Sequence, residues 1–164
     1  MTDRIVIVGG GLAAARTVRV YRDAGGAAPL TVLSAEHALP YNRPPLSKGF
    51  LRGELEADAV FVEPEAAYAE LDVDVRLGKA VSAVDTERRA VTLSDGATVD
   101  FDRLVLATGA LPRALGVPGE ELEGVHSFRT LADAETVRAA AENAASAVVV
   151  GAGFIGMLPP AGSA

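Results

Sequence analysis

Ile5-Val6-Ile7-Val8-Gly9-Gly10-Gly11-Leu12-Ala13-Ala14 decides the fold. Four β-branched residues in a row have no alternation. They read as a strand buried on both faces of a parallel sheet. Leu12–Asp23 reads as a helix, ended by Gly25-Gly26. The spacing Gly9-x-Gly11-x-x-Ala14 divides three tasks between strand and helix. Gly9 permits the tight turn, Gly11 lets backbone approach a pyrophosphate, and Ala14 holds the helix close to the sheet. The helix N-terminus adds unpaired N–H groups and partial positive charge. The whole stretch is the entrance to a dinucleotide-binding βαβ unit.

A second entrance lies far downstream. Ser146-Ala147-Val148-Val149-Val150-Gly151-Ala152-Gly153-Phe154-Ile155-Gly156 repeats the pattern. Two entrances suggest a protein built to hold two dinucleotides. Between them, Leu30–Leu33 is expected as the second parallel strand. Pro40-Tyr41-Asn42-Arg43-Pro44-Pro45-Leu46-Ser47-Lys48 forms a stiff proline-rich loop, with a short helix through Phe50 and Leu51. Glu63–Leu71 reads as helical, with Pro64 in its first turn. From Val73 to Asp102 the period changes to two, with turns at Gly78-Lys79, at Asp85 to Arg88 and at Asp95-Gly96. This predicts an antiparallel meander over the whole stretch. Leu104–Ala107 returns to a buried parallel strand. A Pro- and Gly-rich loop runs from Ala110 to Gly124, Leu131–Asn143 reads as an alanine-rich helix, and Ala147–Val150 as the last strand. The tail after Gly156 reads as unstructured. The expected fold class is α/β, a Rossmann-like parallel sheet with an antiparallel meander attached.

Composition narrows the function. The 164 residues are 49% hydrophobic, enough for a real core. Fifteen basic and 22 acidic residues give a net charge of −7, which argues against broad nucleic-acid binding or attraction to an anionic membrane. The sequence holds no cysteine. Disulfides, thiolate zinc sites, iron–sulfur ligation and a redox-active thiol pair are therefore excluded within it. No apolar run approaches the roughly 20 residues of a membrane span, and Gly9 interrupts the first apolar run too early for a signal peptide. A cytoplasmic protein without a metal site is expected. His37 and His126, far apart, read as loop or surface residues.

The fingerprint calls for an acid at the end of the second strand, about 20 residues on, to bind ribose hydroxyls. Glu36 is the acid available there. Ser34 and Ala35 precede it, so it sits one residue late; a solvated surface role also fits. Arg43 and Lys48 follow directly in the proline loop. Pinned cations beside a phosphate-binding turn suit a pyrophosphate or an electron-rich ring, and a solvated loop is the other reading.

Tyr41-Asn42-Arg43-Pro44-Pro45-Leu46-Ser47-Lys48 resembles the signature of FAD-dependent, NAD(P)H-linked ferredoxin reductases. These serve oxygenases and cytochromes P450, and the apoptosis-inducing factor shares the motif. The Gly9 turn, Ala107-Thr108-Gly109, Gly124-Val125-His126-Ser127-Phe128-Arg129-Thr130 and Gly151 to Gly156 fit the same family, collinear from Arg4 to Gly156. The proline loop is the specific part of the likeness. The resemblance implies FAD at the first entrance. Gly9, Gly11, Leu12 and Ala13 would lie at the pyrophosphate, and Glu36 at the adenosine ribose. Arg43 and Lys48 would face the pyrophosphate and flavin, with Lys48 as the catalytic candidate. Val81 would meet the adenine through its backbone. Ala107, Thr108 and Gly109 would line the cofactor, and Arg129 would help clamp it. From the residues alone, Val81 and Ala107 read as strand core.

Family members continue past Gly156 with an aliphatic residue and a glutamate that partners the lysine of the proline loop. Met157 and Leu158 stand at those positions, and Pro159-Pro160 follow. Natural truncation, a frame shift and an engineered end are all open. The expected organisation is an FAD-binding segment over 1–110, a connecting loop and helix over 111–145, the start of an NAD(P)H-binding domain over 146–156, and an unrelated tail over 157–164. Such a sheet would lack a strand beside Leu104–Ala107. Ala147–Val150 is expected either to fill that place or to pair across a homodimer. The parent reaction would take hydride from NAD(P)H onto flavin and pass single electrons to a ferredoxin. Non-catalytic flavin- or nucleotide-binding, or an interaction role, is the alternative. A remnant fold that binds nothing well is a third reading.

Overall fold

The structure is a computed structural model and describes residues 3–151, 153 and 156. The chain forms two compact units, residues 1–41 with 61–109 and residues 42–60 with 110–164.

The first unit is built on β1 (Ile5–Val8), α1 (Leu12–Asp23) and β2 (Leu30–Leu33), all with the boundaries the sequence predicts. A short helix α2 (Glu65–Glu70) follows, with Pro64 as its N-cap residue. It leads into β3 (Val73–Arg76). The parallel sheet has the order β3-β2-β1-β7, where β7 is Arg103–Leu106. Within it, β1 pairs with β2 on one side and β7 on the other, Ile7 lying opposite Val32 and Val105.

The unbroken apolar run of β1 now has its reason. Ile5 and Ile7 pack on one face with Ala14 and Val18 of α1. Val6 and Val8 pack on the other with Val91, Leu93 and Phe101. Val91 and Leu93 belong to a second, antiparallel sheet of β4 (Val81–Asp85), β5 (Ala90–Leu93) and β6 (Thr98–Asp100), and Phe101 directly follows its last strand. A strand covered on both faces has no polar side to show.

Two expectations need correction. Val73–Arg76 is not part of the meander; it pairs parallel with β2, Val73 opposite Leu30 and Arg76 opposite Leu33. It lies at the sheet edge, with Val73 and Val75 turned toward the core and Asp74 and Arg76 exposed. An edge strand covered on one face alternates whichever way it pairs. Ala147–Val150 is not a strand. Val148 is 91% exposed and the segment has no ladder partner among the described residues, so it does not fill the place beside β7. The tail after Gly156 lies outside the described residues.

The second unit holds the proline loop from Asn42 onward and α3 (Leu131–Ala141). Pro45 opens a wide turn over Leu46–Phe50 in which Phe50 N–H reaches Pro45 O, five residues back, at 3.2 Å. Leu46, Gly49 and Phe50 are buried. Helix α3 packs against this turn, and the Arg138 guanidinium stands 5.7 Å from the Phe50 ring centroid. Among the described residues no helix is long and apolar enough to cross a membrane, and no cluster of three or more His, Asp or Glu could hold a metal ion.

Candidate dinucleotide site

The three glycines of the first turn are present for three different reasons. Gly9 has φ +127°, and a Cβ there would stand 2.1 Å from the Ala107 carbonyl oxygen. A side chain at Gly10 would meet Ser34 Oγ at 2.0 Å. Gly11 is under neither constraint. Its φ of −98° and ψ of −173° suit any residue, and beyond its chain neighbours a Cβ there would have no atom of the described residues within 4 Å. It is also the N-cap of α1, where Ser, Thr, Asp or Asn would bond an orphan N–H. No side chain caps α1 among the described residues, and its first turn carries no acid. The fold gains nothing from glycine at this position. What glycine preserves is open space at a helix N-terminus that has partial positive charge and no side-chain cap. Leu12 and Ala13, the next two residues, are exposed, while Ala14 is fully buried and brings the helix close to β1.

Glu36 stands at the same end of the sheet. Ser34 N–H still follows the ladder to Arg76 O at 3.0 Å, and Ser34 is buried. Its hydroxyl accepts from Glu36 N–H at 3.2 Å. On the other side, Gly78 N–H donates to Glu36 O at 3.0 Å, and Lys79 N–H to Ser34 O at 2.6 Å. The two residues that displace Glu36 from the strand end thus form a small turn tied to the β3–β4 connection. The Glu36 carboxylate accepts a hydrogen bond from the Tyr41 hydroxyl. Tyr41 is 1% exposed, and its backbone bridges both Gly11 and Phe61.

Ala107 N–H donates to Val8 O at 2.8 Å, which fixes the carbonyl that Gly9 must clear. Thr108 and Gly109 follow, exposed, with Gly109 at φ +69°. Val81 pairs with Leu93, and its side chain packs on the Val6–Val8 face. His37 is exposed, and its ring lies where a Cβ on Gly78 would stand.

In the second unit the structure brings two of the expected residues together. Arg43 Nη1 donates to Arg129 O at 2.9 Å. The Arg129 N–H in turn donates to Asp133 Oδ2 at 3.0 Å, next to the capping box formed by Thr130 and Asp133. Lys48 is exposed, and its N–H bonds Pro45 O at 3.0 Å.

The sequence reading had no account of Gly10, Ser34 or the Tyr41 hydroxyl. A small hydroxyl residue closing an otherwise apolar strand is the signal that could have found Ser34. For Tyr41 the signal is a phenol, rather than a phenyl group, in a loop that must pack.

A parallel sheet whose first strand ends in an uncapped glycine turn, with a carboxylate at the end of its neighbour, defines an α/β dinucleotide-binding unit. The chain belongs to the pyridine nucleotide-disulphide oxidoreductase family, which it matches over residues 3–158. Among its relatives is the rhodocoxin reductase of Rhodococcus erythropolis, 37% identical over 93% of this chain and 36% of that protein. The anthranilate 1,2-dioxygenase system ferredoxin–NAD(+) reductase component of Burkholderia cepacia is 40% identical over 94% of this chain and 38% of that one. The crystal structure of the ferredoxin reductase for the CYP199A2 system of Rhodopseudomonas palustris superposes with a TM-score of 0.90. It is 33% identical, covering 95% of this chain and 38% of that one. The chain thus spans well under half the length of the relatives it matches. The likeness to ferredoxin reductases, expected from the proline loop, is borne out.

Proposed function

We propose that this chain is the FAD-binding portion of a ferredoxin-reductase-like flavoprotein. The observation that carries the reading is Gly11. It has ordinary backbone torsions, no crowding among the described residues beyond its chain neighbours, and a helix N-terminus without a side-chain cap. Family membership and the Glu36 carboxylate at the end of β2 support the same reading. The residues of the first unit fit the ADP half of a dinucleotide: Gly9, Gly11, Leu12 and Ala13 for the pyrophosphate and Glu36 for the ribose. Val81, Ala107, Thr108 and Gly109 belong to the same proposed set. Arg43, Lys48 and Arg129 are proposed as the anion- and flavin-binding residues of the second unit, on the resemblance and on the Arg43–Arg129 bond.

Bound flavin would supply exchange between a two-electron donor, NAD(P)H, and a one-electron acceptor of the ferredoxin type. The protein's part in this is to hold and orient: N–H groups on the pyrophosphate, a carboxylate on the ribose diol, and cations beside negative charge. NAD(P)H at the second entrance, a ferredoxin partner and a homodimer are further parts of the proposal. The likeness to the putidaredoxin reductase solved in covalent complex with putidaredoxin, 36% identical, supports the ferredoxin partner.

The visible absorption spectrum of the purified protein, with and without added FAD, tests the reading. A yellow protein holding about one FAD per chain is the expected result. A protein that stays colourless in excess FAD overturns it. Steady-state NAD(P)H oxidation with an artificial acceptor then separates the alternatives. Turnover supports a working reductase; bound FAD without turnover supports a flavin-binding module.

A further inference from the structure

We propose that Tyr41 is the positioning residue for the carboxylate of Glu36. Through it, one side chain holds the ribose-binding acid in fixed register with the pyrophosphate turn. The inference rests on the reading that this end of the sheet takes the ADP half of FAD.

Glu36 is a long side chain on a turn beyond the end of a strand, a place where rotamer freedom is normally kept. Its backbone is pinned on both sides, with N–H to Ser34 Oγ at 3.2 Å and C=O receiving Gly78 N–H at 3.0 Å. The far end of the side chain accepts the Tyr41 hydroxyl. Tyr41 itself cannot drift. It is 1% exposed, and its backbone forms a parallel bridge with Gly11 and an antiparallel bridge with Phe61. The flanking bond from Val62 N–H to Pro40 O, 2.9 Å, closes the same small ladder. The residue that touches the carboxylate through its hydroxyl therefore touches the phosphate-turn glycine through its backbone.

The chemistry explains the choice of tyrosine. Phenylalanine would fill the same buried volume without a hydroxyl to satisfy. A phenol donates to the carboxylate while leaving it ionised, as an acceptor for ribose hydroxyls must be. A carboxylate held in one orientation loses less freedom when the ribose arrives. The competing view is that Glu36 merely satisfies the Tyr41 hydroxyl, and the two views differ in what ribose chemistry reads.

The test titrates the chain and its Tyr41→Phe and Glu36→Gln variants with two probes, following flavin fluorescence. One probe is FAD; the other is its analogue lacking the adenosine 2′-hydroxyl. Wild type is expected to prefer FAD about tenfold, the effect of one hydrogen bond to a charged acceptor. Tyr41→Phe is expected to lower FAD affinity about fivefold and leave the analogue within about twofold, so that the preference collapses. In the Glu36→Gln background the same change should have no further effect. A Tyr41→Phe variant that keeps the full preference overturns the inference, and so does one that weakens both probes alike. If wild type binds FAD but shows no 2′-hydroxyl preference, the inference also falls while FAD binding stands. A wild-type chain that binds neither probe overturns the site reading together with the inference. Thermal melting of each variant excludes unfolding as the cause.

Discussion

The chain contains the same glycine turn twice, in two very different surroundings. Gly9 has φ +127° and Gly151 φ +125°. The first turn ends a strand with all four residues buried, and its Cβ direction runs into the Ala107 carbonyl. The second ends a segment that forms no strand, with Val148, Val149 and Val150 all exposed. Beyond its chain neighbours, no atom of the described residues lies within 4 Å of where a Gly151 Cβ would stand. Even so, the local pattern survives: a Cβ on Gly156 would sit 2.4 Å from the Gly151 carbonyl oxygen. Turn torsions follow from the glycines themselves. A strand, by contrast, needs neighbours, because its N–H and C=O groups must find partners outside it.

Alanine at each glycine breaks or sharpens this comparison. Gly9→Ala combines a forbidden φ with overlap against backbone, and neither can relax. A loss of about 3 kcal/mol or more is expected, or no folded protein at all. Gly151→Ala meets the same torsional objection where the preceding valines are exposed, and should cost less than about 1 kcal/mol. Equilibrium urea unfolding of the two variants measures both. Equal losses would mean that Gly151 is as deeply embedded as Gly9.

Gly11→Ser sharpens the distinction within the first turn. Serine at an N-cap bonds an orphan N–H, and relative to glycine this is worth only a few tenths of a kcal/mol, so the ligand-free protein should gain about 0.3 kcal/mol. The same side chain projects into the open space before the helix, so FAD affinity should fall by at least about tenfold. Melting temperature and FAD titration are the two measurements. A variant that gains stability and keeps full affinity would sink the view that this glycine is kept for a ligand. Helix α3 is the internal control, since it carries the cap that α1 lacks. Thr130 Oγ1 accepts from Asp133 N–H at 3.1 Å, and Thr130 N–H donates to Asp133 Oδ2 at 2.8 Å. Thr130→Ala should therefore destabilise the second unit by about 1 kcal/mol, read as earlier loss of helical signal in urea. No change would show that α3 is held by its packing on the Leu46–Phe50 turn alone.

These contrasts show how far the residues could be read. The boundaries of β1, α1 and β2 are visible because two-sided burial leaves an unbroken apolar run, and paired glycines stop the helix. Val73–Arg76 misleads because alternation reports which faces are covered and is silent about the direction of pairing. Ala147–Val150 misleads because its composition matches that of Ile5–Val8, and composition carries no information about a partner. At the site, the glycine spacing and Glu36 are legible through known spacing. The division of labour among Gly9, Gly10 and Gly11 is not, because it depends on where Ala107 and Ser34 arrive from elsewhere in the chain. The Tyr41–Glu36 bond is likewise hidden. It spans five residues, but its geometry is set by bridges to Gly11 and Phe61.

The smallest expected effect concerns acid, and it again separates regions. In the first unit Asp102, Asp95 and Glu63 are all held below the usual carboxylate range. Asp102 is lowered first by the Arg4 backbone N–H, Asp95 by Lys79, and Glu63 by Arg19. In the second unit only Glu54, beside Arg52, shows the same direction among the described residues. A carboxyl group whose folded pKa lies below its unfolded value leaves the unfolded chain binding more protons as pH falls. Its stabilisation is therefore complete above about pH 4 to 5 and is lost as pH drops through the folded value. All four groups are solvent-accessible, so the effect is modest and the ion pairs are screened by salt. Acid should thus weaken the first unit before the second. Added salt should shrink the contribution of the Lys79–Asp95 pair, which is 2.7 Å long. The part due to Asp102 should persist, because its first partner is a neutral N–H at 2.8 Å rather than a charge. Urea midpoints at pH 6 and pH 3 in low and high salt, with Asp102→Asn alongside, test this order. Asp102→Asn should flatten the acid loss in both salts. An unchanged acid limb in that variant would move the cause to the paired side chains alone.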